Sequence, residues 1–531
     1  MRPLTLAVLL LPALAGCPNN NPSLEPDTDV EVDTDTGTDS DTEADTEPDT
    51  EVEDTGPDAD DDGDGLSENQ GDCDDTDRTV YPDAPELCDG MANDCGSSFD
   101  EAGLISTAGA NYETVAAAIE AAGSRGTIGI CAGTHRVNAA LDGTFTLWSP
   151  DGAVLDGGNA GHVLSLLPAA TVTLRGLTLR NGMATDGEPS AGGAIRAISP
   201  AALTLSSTTI EDSTADQGGG IYMGAGTLTL IDSSVSGSAD LGGGLLLREA
   251  NLVCTGNSSL SGTAGSGGAV YAEDATITDC SVSDSEATDG DEGIGGGVVL
   301  LDSSWSGGTV SDSSSAWRAG GVFLRDSTLS GVTVSGNTAV EGGGLFISGS
   351  GSGSSTVSEV VLSNNVASET GGGASAFGST TWSELTASGN SASVRGGALY
   401  ATLGTTQSIS DSSFSNNSAT NYGGAVYGNS GAIITLTDSS VDDNSAERGA
   451  GLYLNGDGTA ITVAGGNVDG NTATAGGGGA RVNGGTLTST AAAWGVSSAN
   501  SDDVYVDALS DYTYSRTATF SCTLAGCIPA P

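Results

Sequence analysis

Three aspartates at alternate positions, Asp60, Asp62 and Asp64, run into Gly65 in the stretch DADDDGDG. Carboxylates spaced this way around a glycine turn are how calcium loops present hard oxygen ligands to one ion. Asp72, Asp74, Asp75 and Asp77 follow closely and can complete or duplicate the site. The loop is not of the helix-loop-helix kind. Counted from Asp60, its twelfth position is Gly71, where a bidentate Glu would be required.

A second candidate lies far downstream, in phrases such as YGGAVYGN at 422–429. Each has a glycine pair, an aliphatic residue and then, often, an aromatic one. The aliphatic column reads Ile195, Ile221, Leu245, Val270, Val298, Val322, Leu345, Ala374, Leu399, Val426, Leu452 and Ala480, at intervals of 23 to 29 residues. The residue after each is aromatic in seven of twelve cases: Tyr222, Tyr271, Phe323, Phe346, Tyr400, Tyr427 and Tyr453. Aromatics are only 4% of the chain, so the column is selective. Period-2 alternation in a strand sends the aliphatic inward and its neighbour outward. The expectation is a stacked aromatic stripe able to hold sugar rings or a protein ligand.

Self-similarity at about 26 residues means a solenoid, whose units bury apolar surface only against their neighbours. Each unit is rich in Gly, Ser, Thr, Asn and Val, which excludes helical repeats. The coil GGGIYMGAGTLTLIDSSVSGSADL holds three short strands, IYM, TLTLI and SVSGS. Three strands per coil predict an all-β, right-handed parallel β-helix of about 14 coils, roughly 70 Å long at a strand spacing of about 4.8 Å. A leucine-rich horseshoe is the alternative, weakened by the lack of its Asn-terminated leucine pattern. A further column, Asn337, Asn365, Asn390, Asn417, Asn444 and Asn471, predicts a ladder of side-chain amides at a turn. Asp232, Asp302, Asp326, Asp411 and Asp438 open DSS or DST triplets and read as turn residues rather than catalysts.

The repeats, with an upstream F-x-x-N such as Phe414-Ser415-Asn416-Asn417, resemble those of polymorphic outer-membrane proteins, a pectin-lyase-like β-helix group. Residues 112–136 resemble that fold's N-terminal cap, with a short helix near Val115–Ala122 and a first strand at Thr127–Ile130. The stretch 58–101 resembles the MopE-type metal-binding motif of bacterial surface proteins, related in style to thrombospondin type 3 repeats. The matching residues are Asp60 to Gly65, Asp72-Cys73-Asp74-Asp75, Cys88-Asp89-Gly90, Asn93-Asp94-Cys95 and Asp100-Glu101. The sequence departs from the motif at Ala92 and Gly96-Ser97, so its second half is expected to bind metal weakly or serve only structurally.

The N-terminus, MRPLTLAVLLLPALAGC, is too short to span a bilayer and reads as an export signal. Leu14-Ala15-Gly16-Cys17 resembles the lipobox of bacterial lipoproteins, which implies a lipid on Cys17 as membrane anchor. Residues 25–64 hold twenty acids in forty positions, a composition that stays disordered as a spacer. The expected layout is a signal peptide at 1–16, an acidic linker at 17–57 and a calcium module at 58–101. The solenoid's N-terminal cap follows at 102–126, the β-helix at 127–485 and a C-terminal cap at 486–531. Eight cysteines besides Cys17 belong to an exported chain. Cys522 and Cys527 are expected to clamp the end. Cys73, Cys88, Cys95 and Cys131 are left without an assigned pairing. The local register argues against a Cys254–Cys280 bond, because Cys254 precedes Leu260 by six positions and Cys280 precedes Val282 by two.

A net charge of −56 with no lysine disfavours nucleic acid as a partner. Residues 102–531 carry 39 acids against 12 arginines, a poor setting for a lyase that must neutralise substrate carboxylates. His135 and His162 each stand alone and read as structural. The expected function is a non-catalytic, lipid-anchored, monomeric cell-surface or outer-membrane protein. Its β-helix would present a face for adhesion to a glycan or protein. The alternative is a polysaccharide-acting enzyme, a lyase or glycoside hydrolase, on the same fold.

Overall fold

The computed structural model describes residues 56–84, 86–87, 91–96, 105–107, 110–184, 189–349, 353–494, 504–507, 520–523 and 526–529. Cys17, Cys88, Asp89, Gly90, Asp100, Glu101 and nearly all of the signal and linker lie outside these residues, as does the Cys527 side chain. No helix of the described residues is long and apolar enough to cross a membrane.

The chain from Thr134 onward is a parallel β-solenoid of about 14 turns. Among the described residues one α-helix precedes it, α1 (Val115–Ala122), whose Thr114 hydroxyl accepts the Ala117 amide at 3.1 Å as an N-cap. Its Val115, Ala118 and Ile119 are buried at the open end of the first coils. At the far end an antiparallel hairpin, Phe520–Thr523 with Gly526–Pro529, pairs on Thr486–Thr490.

Three parallel sheets form the walls. The first has fifteen strands, from Ala139–Leu141 to Val504–Val506, and carries the glycine-aliphatic-aromatic phrase. The second is longer and bends in each coil at an Asp or equivalent residue. Ile433–Thr437 and Ser440–Asp442, for example, flank Asp438. The third has ten short strands, from Ser238–Leu241 to Thr472–Ala473. The aliphatic column runs in register from Ile195 through Ile221, Leu245 and Val270 onward, and it is buried throughout. Outward positions of the second sheet, such as Thr276, Thr328, Thr356 and Thr381, are exposed hydroxyls.

The corners follow from residue chemistry. Asp232, Asp302, Asp326, Asp411 and Asp438 all have φ between 46° and 51°, a left-handed conformation that Asp tolerates better than most residues. A serine after the Asp turns inward; the Ser439 hydroxyl donates to the Thr437 carbonyl at 2.8 Å and accepts the Ser412 amide at 3.1 Å. At the next corner the predicted amide ladder is continuous. The Nδ2 groups of Asn337, Asn365, Asn390, Asn417 and Asn444 donate to the next coil's Asn Oδ1 at 2.9 to 3.0 Å.

The Cys254–Cys280 expectation is overturned, because the two cysteines are bonded with Cα atoms 4.9 Å apart. Cys254 stacks in register on the inward Leu230. Cys280 directly precedes Ser281, which pairs with Ser259, so Cys280 occupies the corner-serine place of Ser233 and Ser258. Its sulfur points to the Thr278 carbonyl at 3.3 Å, as Ser233 does to Ile231. The bond therefore runs diagonally, from a strand in one coil to the corner of the next, which counting residues back from the following strand does not reveal.

Candidate functional sites

The acidic module is built on turns in which aspartates bond the backbone just ahead of them. Asp60 accepts the amides of Gly63 at 2.7 Å and Gly65 at 3.0 Å. Asp62 accepts from Asp64 at 3.0 Å, and Asp64 from Leu66 at 2.8 Å. Gly63 and Gly65, at φ 80° and 105°, allow the chain to curl tightly enough for this. The result is a loop in which one carboxylate oxygen from each of Asp60, Asp62 and Asp64 lies within 4.8 Å of the others.

A second loop closes on the first. Asp75 accepts the Asp61 amide at 3.3 Å, and the Cys73–Cys95 disulfide ties this loop to the module's end. Asp62 Oδ2, Asp64 Oδ2 and Asp72 Oδ2 are buried with no hydrogen-bond partner. Desolvation raises the pKa of Asp62, and the neighbouring Asp64, Asp72 and Asp60 charges raise it further. Asp75 is raised for the same reasons, by desolvation first and then by Asp61, Asp72 and Asp60. Buried carboxylate oxygens without donors beside like charges are costly unless a cation sits among them.

The seven aspartates expected in the site therefore divide. Asp60, Asp62 and Asp64 are brought together, and Asp72 and Asp75 are electrostatically coupled to them. Asp74 and Asp77 lie outside this trio and accept hydrogen bonds from nearby threonines. Asp74 accepts the Thr76 hydroxyl at 2.7 Å. Asp77 accepts the hydroxyl and amide of Thr79 at 2.7 and 3.1 Å, which lowers its pKa. In the module's second half, Asn93 is fully buried and accepts the Leu87 amide at 2.7 Å, while Asp94 accepts from Asp83 and Gly96. Those groups hold turns, consistent with a structural role.

The aromatic column is in register as expected but is not an open platform. Tyr222, Phe323, Phe346, Tyr400, Tyr427 and Tyr453 are all buried, Phe346 to 1% and Tyr427 to 3% exposure; Tyr271 is half-buried. Rings stack at 5.7 Å for Phe323–Phe346, 5.5 Å for Tyr400–Tyr427 and 5.3 Å for Tyr427–Tyr453. Burial pushes the Tyr427 phenol far above its ordinary range and raises Tyr453 and Tyr271 as well.

The cover comes from the residue before the left-handed corner that leads into each of these strands. Gly423 has φ 65°, and a Cβ there would come within 2.8 Å of the Val426 carbonyl oxygen and 2.9 Å of Tyr427 Cβ. A left-handed residue here, usually glycine but Ala319 at φ 57° in the coil of Arg318, lets the preceding residue double back over the rings. These preceding residues form their own column of bridges, Ile294, Arg318 and Glu341, then Thr370, Arg395, Tyr422 and Arg448. Arg318 lies over Phe346 and Phe377 at 4.6 and 5.4 Å, Arg395 over Tyr427 at 5.9 Å and Arg448 over Tyr422 at 5.6 Å. The stripe is thus a second small core outside the solenoid, and the surface it offers is the arginine and tyrosine cover. Period-2 alternation assigned the face correctly but says nothing of what folds over it.

The two histidines lie against backbone carbonyls. His135 Nε2 lies 3.0 Å from the Cys131 carbonyl and His162 Nδ1 2.5 Å from that of Gly192, both buried. Cys131 and Cys522 are each engaged in a disulfide, and Cys522 lies opposite Cys527 in the terminal hairpin. A groove of about 690 Å³ is lined by hydroxyls and glycines, with Asp212 at one end and Asp284 at the other. Those carboxylates are three coils apart, about 14 Å by strand spacing. Paired-carboxylate glycosidases work at about 5 to 10 Å.

No curated protein matches the chain. Among solved structures, PfbA, a surface adhesin of Streptococcus pneumoniae, is 11% identical over 77% of this chain and 92% of that one. Its TM-score of 0.24 is too low to bear on function. The chain matches the MopE-type metal-binding motif family at residues 72–101 and the Chlamydia polymorphic membrane protein repeat at 411–429. The region described as right handed beta helix matches at 158–358, so the molecule is a β-helix protein carrying a metal-binding motif.

Proposed function

We propose that this is a non-catalytic, exported rod, lipid-anchored through Cys17 at the outer membrane or cell surface, whose N-terminal module is stabilised by calcium. The observation that carries the reading is the trio Asp60, Asp62 and Asp64 with the unpartnered buried oxygens of Asp62, Asp64 and Asp72. The donor set is all carboxylate, the preference of a hard cation such as calcium. Copper, which the matched family's name mentions, favours imidazole and soft sulfur. The module's 58–101 sequence has no histidine, and Cys73 and Cys95 are tied up as a disulfide. Bound calcium would offset the mutual repulsion of the aspartates and fix the two loops against each other.

The rod acts as a monomeric scaffold that holds a binding face for a glycan or protein away from the membrane. The polymorphic membrane protein repeat match and the lipobox-like N-terminus support placement at the surface. Calorimetric titration of the full chain with calcium tests the module. Heat of binding in the wild type, lost in an Asp62→Asn/Asp64→Asn variant, is expected; no binding by the wild type would remove the calcium reading. Incubation with polysaccharides should release no products, and depolymerisation would establish the enzyme reading instead.

A further inference from the structure

We propose that Arg395, Tyr422 and Arg448 form a contact site for a single carboxylate carried on a sugar. The inference rests on the binding-face reading above and assigns that face to the cover over Tyr400, Tyr427 and Tyr453. Four arginines lie over the aromatic rings, and three have acidic partners. Arg318 bonds Glu341 at 2.8 Å, Arg448 pairs with Glu447 at 3.1 Å, and Arg481 pairs with Asp507. Arg395 has no carboxylate within ion-pair distance among the described residues.

The repeat itself shows what Arg395 lacks. In the cover column, Arg318 is followed one coil later by the acid Glu341, and Arg395 is followed by Tyr422. A guanidinium needs an acceptor in the plane of its fork, and a ligand carboxylate is the group of matching geometry. The Tyr422 hydroxyl accepts a hydrogen bond from Arg448 Nη1 at 3.2 Å, which leaves its own proton available to donate. Arg395 and Tyr422 are adjacent in the column, about 4.8 Å apart along the rod, so one carboxylate can reach both.

Two features favour a sugar as the carrier. The half-buried Tyr422, whose ring tilts against Tyr453 at 4.9 Å and lies under the Arg448 guanidinium at 5.6 Å, puts an aromatic residue next to Arg395 in the column. Aromatic faces pack against the apolar face of a pyranose. The surrounding rod is acidic, with 39 acids against 12 arginines over residues 102–531, so a polyuronate is repelled along most of its length. An isolated carboxylate at the end of an otherwise neutral glycan meets Arg395, which has no acidic partner among the described residues, beside the Arg448–Glu447 pair.

The test uses the calcium-loaded full chain and calorimetry with four probes: 3′-sialyllactose, lactose, trigalacturonate and an acidic hexapeptide. The expected result is binding of sialyllactose at least tenfold tighter than lactose or trigalacturonate. Arg395→Gln should weaken sialyllactose at least tenfold, and Tyr422→Phe severalfold, with thermal unfolding unchanged in both. Methyl esterification of the sialic carboxylate should reproduce the Arg395→Gln loss in the wild type. Sialyllactose binding that is equal in Arg395→Gln, or insensitive to esterification, overturns the site and leaves the binding-face reading standing. Preference for the hexapeptide overturns the sugar assignment. Failure of every probe to bind overturns the site together with the face that contains it.

Discussion

Replacing Asn417 by Ala removes one rung of the amide ladder, and its cost can be worked from the contacts. Asn417 Oδ1 accepts the Asn390 amide at 3.0 Å and Asn390 Nδ2 at 2.9 Å. Its Nδ2 donates to the Ala387 carbonyl at 2.9 Å and to Asn444 Oδ1 at 3.0 Å. Every partner in the ladder is buried, so water does not replace the lost bonds. At about 1 kcal/mol each, four bonds give about 4 kcal/mol, and the orphaned Asn390 amide pushes the figure upward. Asn417→Ser should cost less, because a serine, Ser313, holds the equivalent corner one coil before Asn337. Solenoids do not always unfold in one step, so local hydrogen exchange is the better assay beside urea denaturation. The Asn390 amide should lose most of its protection in Asn417→Ala while amides near Leu228 stay protected. Unchanged exchange at Asn390, or a loss under about 1 kcal/mol, would refute the claim that the ladder stabilises the corner.

Tyr427→Ala should destabilise by about 3 kcal/mol or more, as for a large core aromatic, whereas Tyr427→Phe should cost far less; equal, negligible effects in thermal unfolding would mean the rings are not a core. Replacing Cys254 and Cys280 together by Ser should cost about 2 to 4 kcal/mol, and an unaltered urea midpoint would contradict a constraining bond. Without calcium, the raised pKa values of Asp62 and Asp75 give a contribution to stability that is full below the ordinary carboxylate pKa. That contribution is lost as pH rises through the raised values. Calcium-free protein should therefore show a more protected 58–96 segment in mild acid than at neutral pH. The opposite slope would contradict a repulsive cluster.

The solenoid was legible because its signals are local and repeated. The glycine pair, the inward aliphatic, the Asp at a left-handed corner and the Asn rung each state a backbone requirement in one or two residues, and stacking multiplies the signal. The alternating spacing of Asp60, Asp62 and Asp64 also predicted their convergence, since i, i+2 carboxylates in a tight turn have few other places to go. What the sequence left hidden depends on chain reversal. Tyr427 reads as outward from strand period alone, but Gly423 in the left-handed region carries Tyr422 back across the rings. Cys280 reads as out of register because the corner it occupies is shorter than the one after Cys254, and register is a property of two coils at once. Asp74 and Asp77 match the other aspartates by type, and only the position of Thr76 and Thr79 explains the hydroxyl bonds that set them apart from the trio.

The central claim is that the acidic loops at Asp60–Asp64 and Asp72–Asp75 form one cation site with oxygen ligands. Hydrogen exchange of the full chain with and without calcium measures this most directly. The account predicts that calcium strongly protects the amides of residues 61–66 and 72–77, that magnesium does so less, and that Asp62→Asn/Asp64→Asn abolishes the effect. Exchange in both loops that is indifferent to calcium would contradict it.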